Sequence, residues 1–278
     1  MNLAIVHPGD MGVTVGAAMN ASGHEVYWLP ESRSAATAGR AQSAGFVSCG
    51  SVRELAQTVQ GVVSVCPPHG AVELAQRIIA AGFTGTYVDA NAVAPDTARE
   101  IESIVGSGFV DGGIIGPPAQ TKGNTRLYLS GNAADEVRHW FDGSLLDAIA
   151  IAGGAGTASA LKMCYAAYTK GSGALLLAIR AVAQAEGVAA ALLGEWEISQ
   201  PGLGQRSELV ALGSVAKAWR FVGEMGEIAS TFRSAGLPGE FHDGAAEIYH
   251  RIAALRTRDA TFNEVLALLG DETSGQSR

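Results

Sequence analysis

The residues best placed to do chemistry come early: His7-Pro8-Gly9-Asp10-Met11-Gly12, between an apolar strand-like run over 3–7 and a helical stretch over 11–22. The spacing is that of a G-x-G-x-x-G turn. Its glycines permit a tight bend, approach of a diphosphate to the backbone, and close packing of helix on strand. Gly9 and Gly12 fill the second and third glycine slots, and His7 stands in the first. Helix N-terminal N–H groups would still face a diphosphate. The competing reading is a strand–helix turn that holds no ligand. Three features favour the dinucleotide: the turn follows a strand, it opens a helix, and a second strand ends in polar residues where a ribose would lie.

That second strand end carries Glu31, then Ser32-Arg33-Ser34, with Thr37 and Arg40 following. A carboxylate there accepts from the ribose 2′-hydroxyl of NAD; an arginine flanked by hydroxyls receives the 2′-phosphate of NADP through paired charge-assisted hydrogen bonds. As a cluster the residues point to NADP, with NAD as the alternative and Glu31 free to cap the next helix.

The elements that position these groups alternate along the first half. Strand-like runs fall at 3–7, 25–29, 61–66, 86–89 and 108–111, with helical stretches at 11–22, 35–44, 52–60, 71–81 and 96–105. Further strands are expected at 126–130 and 148–151 around a helix at 133–141. This alternation predicts an α/β fold, a Rossmann-type doubly wound parallel sheet. From about Gly156 the pattern becomes helical almost to the end. Helices are expected over 155–186, 207–235 and 244–256, and the polar tail from Asp271 is expected to fray. Gly153-Gly154 is the natural hinge, so the division is a dinucleotide-binding domain over 1–153 and an all-α domain over 154–278.

Composition narrows the function classes. A net charge of −8 opposes broad binding to nucleic acid or anionic membrane, and no apolar run suits a bilayer. Cys49, Cys66 and Cys164 lack metal-ligand spacing, and no His/Asp/Glu cluster supplies it, so no metal is expected. Odd cysteines and an N-terminus that enters a strand directly fit a cytoplasmic protein.

With these pieces in view, the chain resembles the 3-hydroxyacid dehydrogenase and 6-phosphogluconate dehydrogenase superfamily. The resemblance rests on His7–Gly12 with Met11 in place, Asn20-Ala21-Ser22-Gly23-His24, Val65-Cys66-Pro67-Pro68, Asp89-Ala90-Asn91-Ala92-Val93-Ala94-Pro95, Phe109–Gly116, and Gly154-Ala155-Gly156 followed by Lys162. It is similar in particular to a bacterial and archaeal branch with a 6-phosphogluconate-dehydrogenase-type N-terminal domain and a distinct helical C-terminal domain. In that branch segments like Gly116-Pro117-Pro118, Thr169-Lys170-Gly171 and Lys217-Ala218-Trp219-Arg220 recur. The resemblance implies a nicotinamide-dependent dehydrogenase or reductase acting on a small molecule. Cofactor contacts would come from His7, Pro8, Gly9, Asp10, Met11, Gly12, Ser32, Arg33, Ser34, Cys66, Pro67, Pro68 and Asn91.

It also singles out Lys162 as proton donor and acceptor; from the residues alone, a lysine snorkelling off a buried helix is the simpler reading. Lys162 sits in an otherwise apolar helix, where desolvation would lower its pKa toward working pH. Lys170 could hold an anionic substrate group, and Tyr165 or Tyr168 could donate a hydrogen bond or serve as alternative acids, with core packing as the competing role for both tyrosines. Trp219 and Arg220, near Glu224, could wall and clamp a substrate, and Phe241-His242-Asp243 is less informative.

The family's substrate-binding Ser-Gly-Gly is replaced by Ile115-Gly116-Pro117, where Ile donates no hydrogen bond and Pro lacks an N–H. Its asparagines after the lysine are Tyr165 and Ala166. The expectation is therefore hydride transfer to a small carbonyl or hydroxy acid. An imine substrate and a non-catalytic dinucleotide sensor are the alternatives. A homodimer is expected because the apolar helix from Ala155 and the Ala/Leu-rich segment 188–193 exceed what one small helical domain should bury.

Overall fold

In the computed structural model, which describes residues 1–256 and 259–270, the first strand is apolar on both faces. Leu3 and Ile5 enter one core cluster, Ala4 and Val6 the other. Burial on both faces is what a parallel strand covered by helices on either side requires. Val63 and Val62 divide in the same way on a neighbouring strand.

The elements in order are β1 (Asn2–Val6), α1 (Asp10–Ala21), β2 (Glu25–Trp28), α2 (Ala35–Ser43), β3 (Val47–Ser48), α3 (Val52–Thr58), β4 (Gly61–Ser64), α4 (Ala71–Ala80), β5 (Thr86–Asp89), α5 (Pro95–Val105), β6 (Phe109–Ile115), β7 (Arg126–Ser130), α6 (Ala134–Arg138) and β8 (Asp147–Ala150). The sheet order is β3-β2-β1-β4-β5-β6-β7-β8, and only β6–β7 is antiparallel. The order reverses between β1 and β4, so a crevice opens beyond their carboxyl ends, where such sheets bind ligands.

The expected strands form with ends moved by a residue or two, except that the run at 108–111 extends to Ile115. The edge strand β3 was not expected. Both its residues are exposed, so it carries no apolar signal. The helix expected at 133–141 is α6 followed by a 3₁₀ turn, His139–Phe141.

The chain separates into two compact units, Met1–Met163 and the residues from Cys164 onward. The division falls inside α7 (Thr157–Ala185), ten residues beyond Gly153-Gly154. The second unit continues with α8 (Ala189–Ser199), α9 (Leu203–Val215), α10 (Ala218–Ser234), α11 (Glu240–Ile252) and α12 (Phe262–Gly270). The helix expected over 207–235 is thus two helices, because the chain turns at Ala216-Lys217 while its apolar content runs on without a break. Arg180 is buried inside this unit, donating to Ser207 Oγ at 2.7 Å with its guanidinium 4.6 Å from the Phe262 ring. Among the described residues no helix is long and apolar enough to cross a membrane. The tail from Asp271 lies outside the described residues.

Candidate active site

At the β1–α1 turn, His7 adopts φ +70°, a left-handed conformation that a glycine takes freely and a histidine takes at a cost. A Cβ on Gly12 would collide with the His7 carbonyl oxygen, so this slot admits only glycine while α1 lies this close to β1. A Cβ on Gly9 would meet nothing within 4 Å. Gly9 is the N-cap of α1, and no side chain caps that helix. A close-packed third position, an open second position and an uncapped helix N-terminus fit a diphosphate.

His7 is largely buried, and its Nδ1 has no hydrogen-bond partner among the described residues. Burial, then the Arg33 charge, lowers its pKa to about 4; Arg77 adds to the effect and a backbone hydrogen bond at Val6 opposes it. His7 is therefore neutral at pH 7, and its free ring nitrogen is a further polar group available to a ligand.

Arg33 lies close enough to His7, Arg77, Cys66 and Glu31 for their charges to act on one another. Burial, then the like charge of Arg77, lowers the Arg33 pKa. Glu31 pairs with Arg77 of α4 and does not cap α2. Ser34 provides that cap, accepting from the Thr37 N–H at 3.2 Å. Ser32, like His7, has positive φ, at +57°. Arg40 reaches back from α2 to the turn, 3.3 Å from the Asp10 carboxylate and 3.5 Å from the Pro8 carbonyl. It thereby offsets the negative charge of Asp10 in the first turn of α1.

Across the crevice, the Cys66 N–H donates to Asn91 Oδ1. The Asn91 amide donates to Ser64 Oγ at 2.9 Å and to Asp89 Oδ2 at 2.8 Å. Burial, then the Asp89 charge, pushes the Cys66 thiol up to about 12, which rules it out as a thiolate nucleophile. Pro67 and Pro68 lead into a short turn before α4.

Two carboxylates that the sequence offered only as motif positions prove to be fully buried. Asp89 ends β5, and Asp111 lies beside it in register on β6. Asp111 accepts from Ser159 N at 3.0 Å, Ser159 Oγ at 2.6 Å and Ser130 Oγ at 3.3 Å, so it caps the start of α7. Asp89 accepts from the Asn91 N–H at 3.0 Å as well as from its amide. Burial raises its pKa to about 7; the Asn91 hydrogen bonds oppose the rise, Asp111 adds to it, and Lys162 lowers it. Lys162 is half-buried on α7, one helical turn after Ser159. A Cβ on Gly113 of β6 would lie 2.7 Å from the Ala158 carbonyl and 3.2 Å from Lys162 Cβ. That close approach sets the stem of Lys162 over the end of β6. Asp89, Asp111 and Arg77 were missed as site residues because no local pattern marks them. The one available signal was the position of both aspartates at strand carboxyl ends.

Chains of this architecture have known chemistry elsewhere. A conserved protein, MTH1747, described as structurally similar to 3-hydroxyacid dehydrogenases, matches with TM-score 0.69 at 24% identity, over 93% of this chain and 100% of that one. The Mycobacterium tuberculosis 3-hydroxyisobutyrate dehydrogenase solved with L-serine matches with TM-score 0.69 at 19% identity, over 97% and 99% of the two chains. The fold is that of the 3-hydroxyacid dehydrogenases. A reductive aminase from Aspergillus terreus, solved with NADPH and ethyl levulinate, shares this dehydrogenase fold at TM-score 0.57 and 18% identity, over 96% and 98% of the chains. Residues 183–252 match a domain of unknown function, DUF1932. No curated protein sequence matches the chain.

The remaining candidates are distributed as follows. Ile115, offered to the substrate, is instead 6% exposed and packed in β6, while Gly116 lies against Asn124 and Thr125. In the helical unit, the Lys170 ammonium is engaged by Glu224 and sits 4.9 Å from the Phe221 ring centre, so it is already paired in place of an anionic substrate. Tyr165 and Tyr168 are exposed on α7, so neither serves as a core residue in this chain. Trp219 is exposed, with the Arg220 and Arg256 guanidinium groups 5.9 and 5.8 Å from its ring. His242 is buried against Phe232 and Phe241. No group of residues with metal-binding geometry occurs among the described residues.

His7 and Asp89 make opposed contributions to stability with pH. His7 has a folded pKa below its ordinary 6.5, so its contribution is present above pH 6.5 and is lost as pH falls toward 4. Asp89 has a folded pKa above its ordinary 3.8, so its contribution is present below that value and is lost as pH rises through about 7. His7→Gly removes the first effect and also relieves about 1–2 kcal/mol of left-handed strain. Thermal melts should show the variant gaining more over wild type at pH 5 than at pH 8; an equal gain at both would mean His7 is not held neutral.

Proposed function

We propose that the chain is an NADP-dependent oxidoreductase acting on a small carbonyl or hydroxy-acid substrate, with Lys162 as proton donor and acceptor. What carries this reading is the placement of Lys162 beside buried Asp89, at the carboxyl edge of the sheet whose β1–α1 turn suits a dinucleotide. The nicotinamide, when bound, supplies or accepts the hydride. The chain's own groups do the rest. The α1 N-terminus and the Gly9 backbone hold the diphosphate, Pro67, Pro68 and Asn91 border the far side, and the Lys162 ammonium gives a proton to a developing alkoxide and recovers it in the reverse direction. A panel of hydroxy acids, ketones and imines with NADPH tests the reading. Tight NADPH binding with no turnover on any of them would leave a dinucleotide sensor.

An imine substrate is the second reading. It is favoured by Ile115-Gly116-Pro117, which removes a hydroxyl and an N–H from the family's carboxylate-binding segment, and by the fold shared with the reductive aminase.

The NADP preference rests on the arginines. Glu31, the group that would accept from an NAD ribose, is held by Arg77, and Arg33 lies within the same charge cluster. Arg33→Ala should weaken NADPH by about 10- to 100-fold, the worth of hydrogen bonds to a charged group, and NADH by far less. Equal losses in a fluorescence titration, or tighter NADH binding by the wild type, would reverse the assignment.

A homodimer is part of the same reading. Helix α8, rich in Ala and Leu, has no buried residue; its Ile198 is 80% exposed, and Leu209 on the following helix α9 is 66% exposed. An exposed apolar helix of this kind marks an interaction surface, here for a second copy. Light scattering at micromolar concentration should give twice the chain mass; the mass of one chain would refute the dimer.

A further inference from the structure

We propose that Asp89 is a positioning residue for Lys162: its carboxylate, fixed by Asn91 at the end of β5, holds the lysine ammonium over the ends of β5 and β6 and keeps it charged. The inference rests on the reading of Lys162 as the proton-transfer group and assigns the partner that prepares it. The geometry converges from three elements. Asp89 and Asp111 are side by side on paired parallel strands, both without solvent exposure. Asp111 is committed to α7 through Ser159, and Ser130 also donates to it. Lys162 follows Ser159 by one helical turn, and its stem rests over Gly113, two residues beyond Asp111 on the same strand face.

The two carboxylates have unequal duties. Asp111 is held by a helix start and two hydroxyls and serves as structure. Asp89 receives hydrogen bonds from Asn91 alone among the described residues, and the Lys162 charge acts on it. A buried carboxylate beside a like charge is costly, and a cation at the same place offsets that cost. The other titratable groups facing Asp89 are Cys66, beyond β4, and Tyr87, on β5; burial raises both above their ordinary values, so both remain neutral near pH 7. The cation whose charge acts on Asp89 is Lys162, and in this proposal that interaction sets whether the lysine can donate.

The coupling can be read without cofactor or turnover. The chain has only four lysines, Lys122, Lys162, Lys170 and Lys217, so ¹³Cε-lysine labelling gives a resolvable spectrum, assigned by single Lys→Arg variants. In Asp89→Asn the Lys162 Cε midpoint should fall by about one pH unit, the effect of losing a nearby opposite charge. Should Asp89→Asn fail to fold, the reciprocal measurement stands: in Lys162→Met the Asp89 carboxyl ¹³C midpoint should rise by a similar amount, since coupling is mutual. An unmoved midpoint in either folded variant overturns the proposal. In active protein, Asp89→Asn should shift the pH profile of kcat while leaving KM for NADPH within about two-fold, whereas a purely structural role would lower kcat equally at every pH. NADPH titration of the same samples separates the two readings. Lost NADPH binding with an intact midpoint shift would fault the proposed function, and retained binding with no shift would fault this inference.

Discussion

Lys162→Ala is expected to cut turnover by about 10²–10⁴-fold, the range for loss of a positioned general acid, while NADPH binds as before. The separation follows from where the two functions sit. The dinucleotide turn belongs to β1 and α1; Lys162 belongs to α7 and lies over β6. Truncating a half-buried side chain at Lys162 leaves the cap made by Asp111, Ser130 and Ser159 untouched, so α7 should keep its start. Arginine should not rescue the loss, because a guanidinium holds its proton at any working pH and fits poorly above Gly113. Steady-state kcat, with NADPH affinity measured by fluorescence on the same protein, checks the prediction. Turnover within a few-fold of wild type would remove Lys162 from the mechanism.

The second large effect is a contrast between two glycines three residues apart. Gly12→Ala places a methyl group against the His7 carbonyl oxygen, and backbone must move to admit it. Overpacking of this kind costs about 1–3 kcal/mol or more, or roughly 2–12 °C in Tm for a chain of this size. NADPH binding should weaken with it, since α1 can no longer lie against β1. Gly9→Ala should behave in the opposite way. Its φ of −69° suits alanine, and the added methyl meets no protein atom within 4 Å. Tm should hold while NADPH affinity falls, because the methyl occupies the space a diphosphate needs. A Gly9→Ala protein that binds NADPH normally would mean that the diphosphate does not approach this turn.

The alternation of strands and helices, and with it the Rossmann-type sheet, was determined by sequence alone. Buried parallel strands such as 3–6 and 62–63 are short apolar runs, and the intervening helices are bounded by glycine, proline and serine, so the signal is local. The glycine turn was equally legible, since its requirement for small residues is written at fixed spacing. Where local signal was weak, no separate element was marked: exposed Val47-Ser48 forms a strand only because β2 offers it an edge, and α8, within the stretch expected to be helical, has no polar–apolar face to set its bounds.

Tertiary structure alone decided the site's electrostatics. Glu31 and Arg77 are far apart in the chain, and their pairing follows from α4 lying near the end of β2. Asp89 and Asp111 are ordinary polar residues until parallel register sets them side by side without solvent, and the Lys162 stem comes over β6 only because Gly113 lets α7 descend onto that strand. Periodicity and spacing report which face of an element is buried; they do not report which charges share that burial, because that depends on the order in which strands pair.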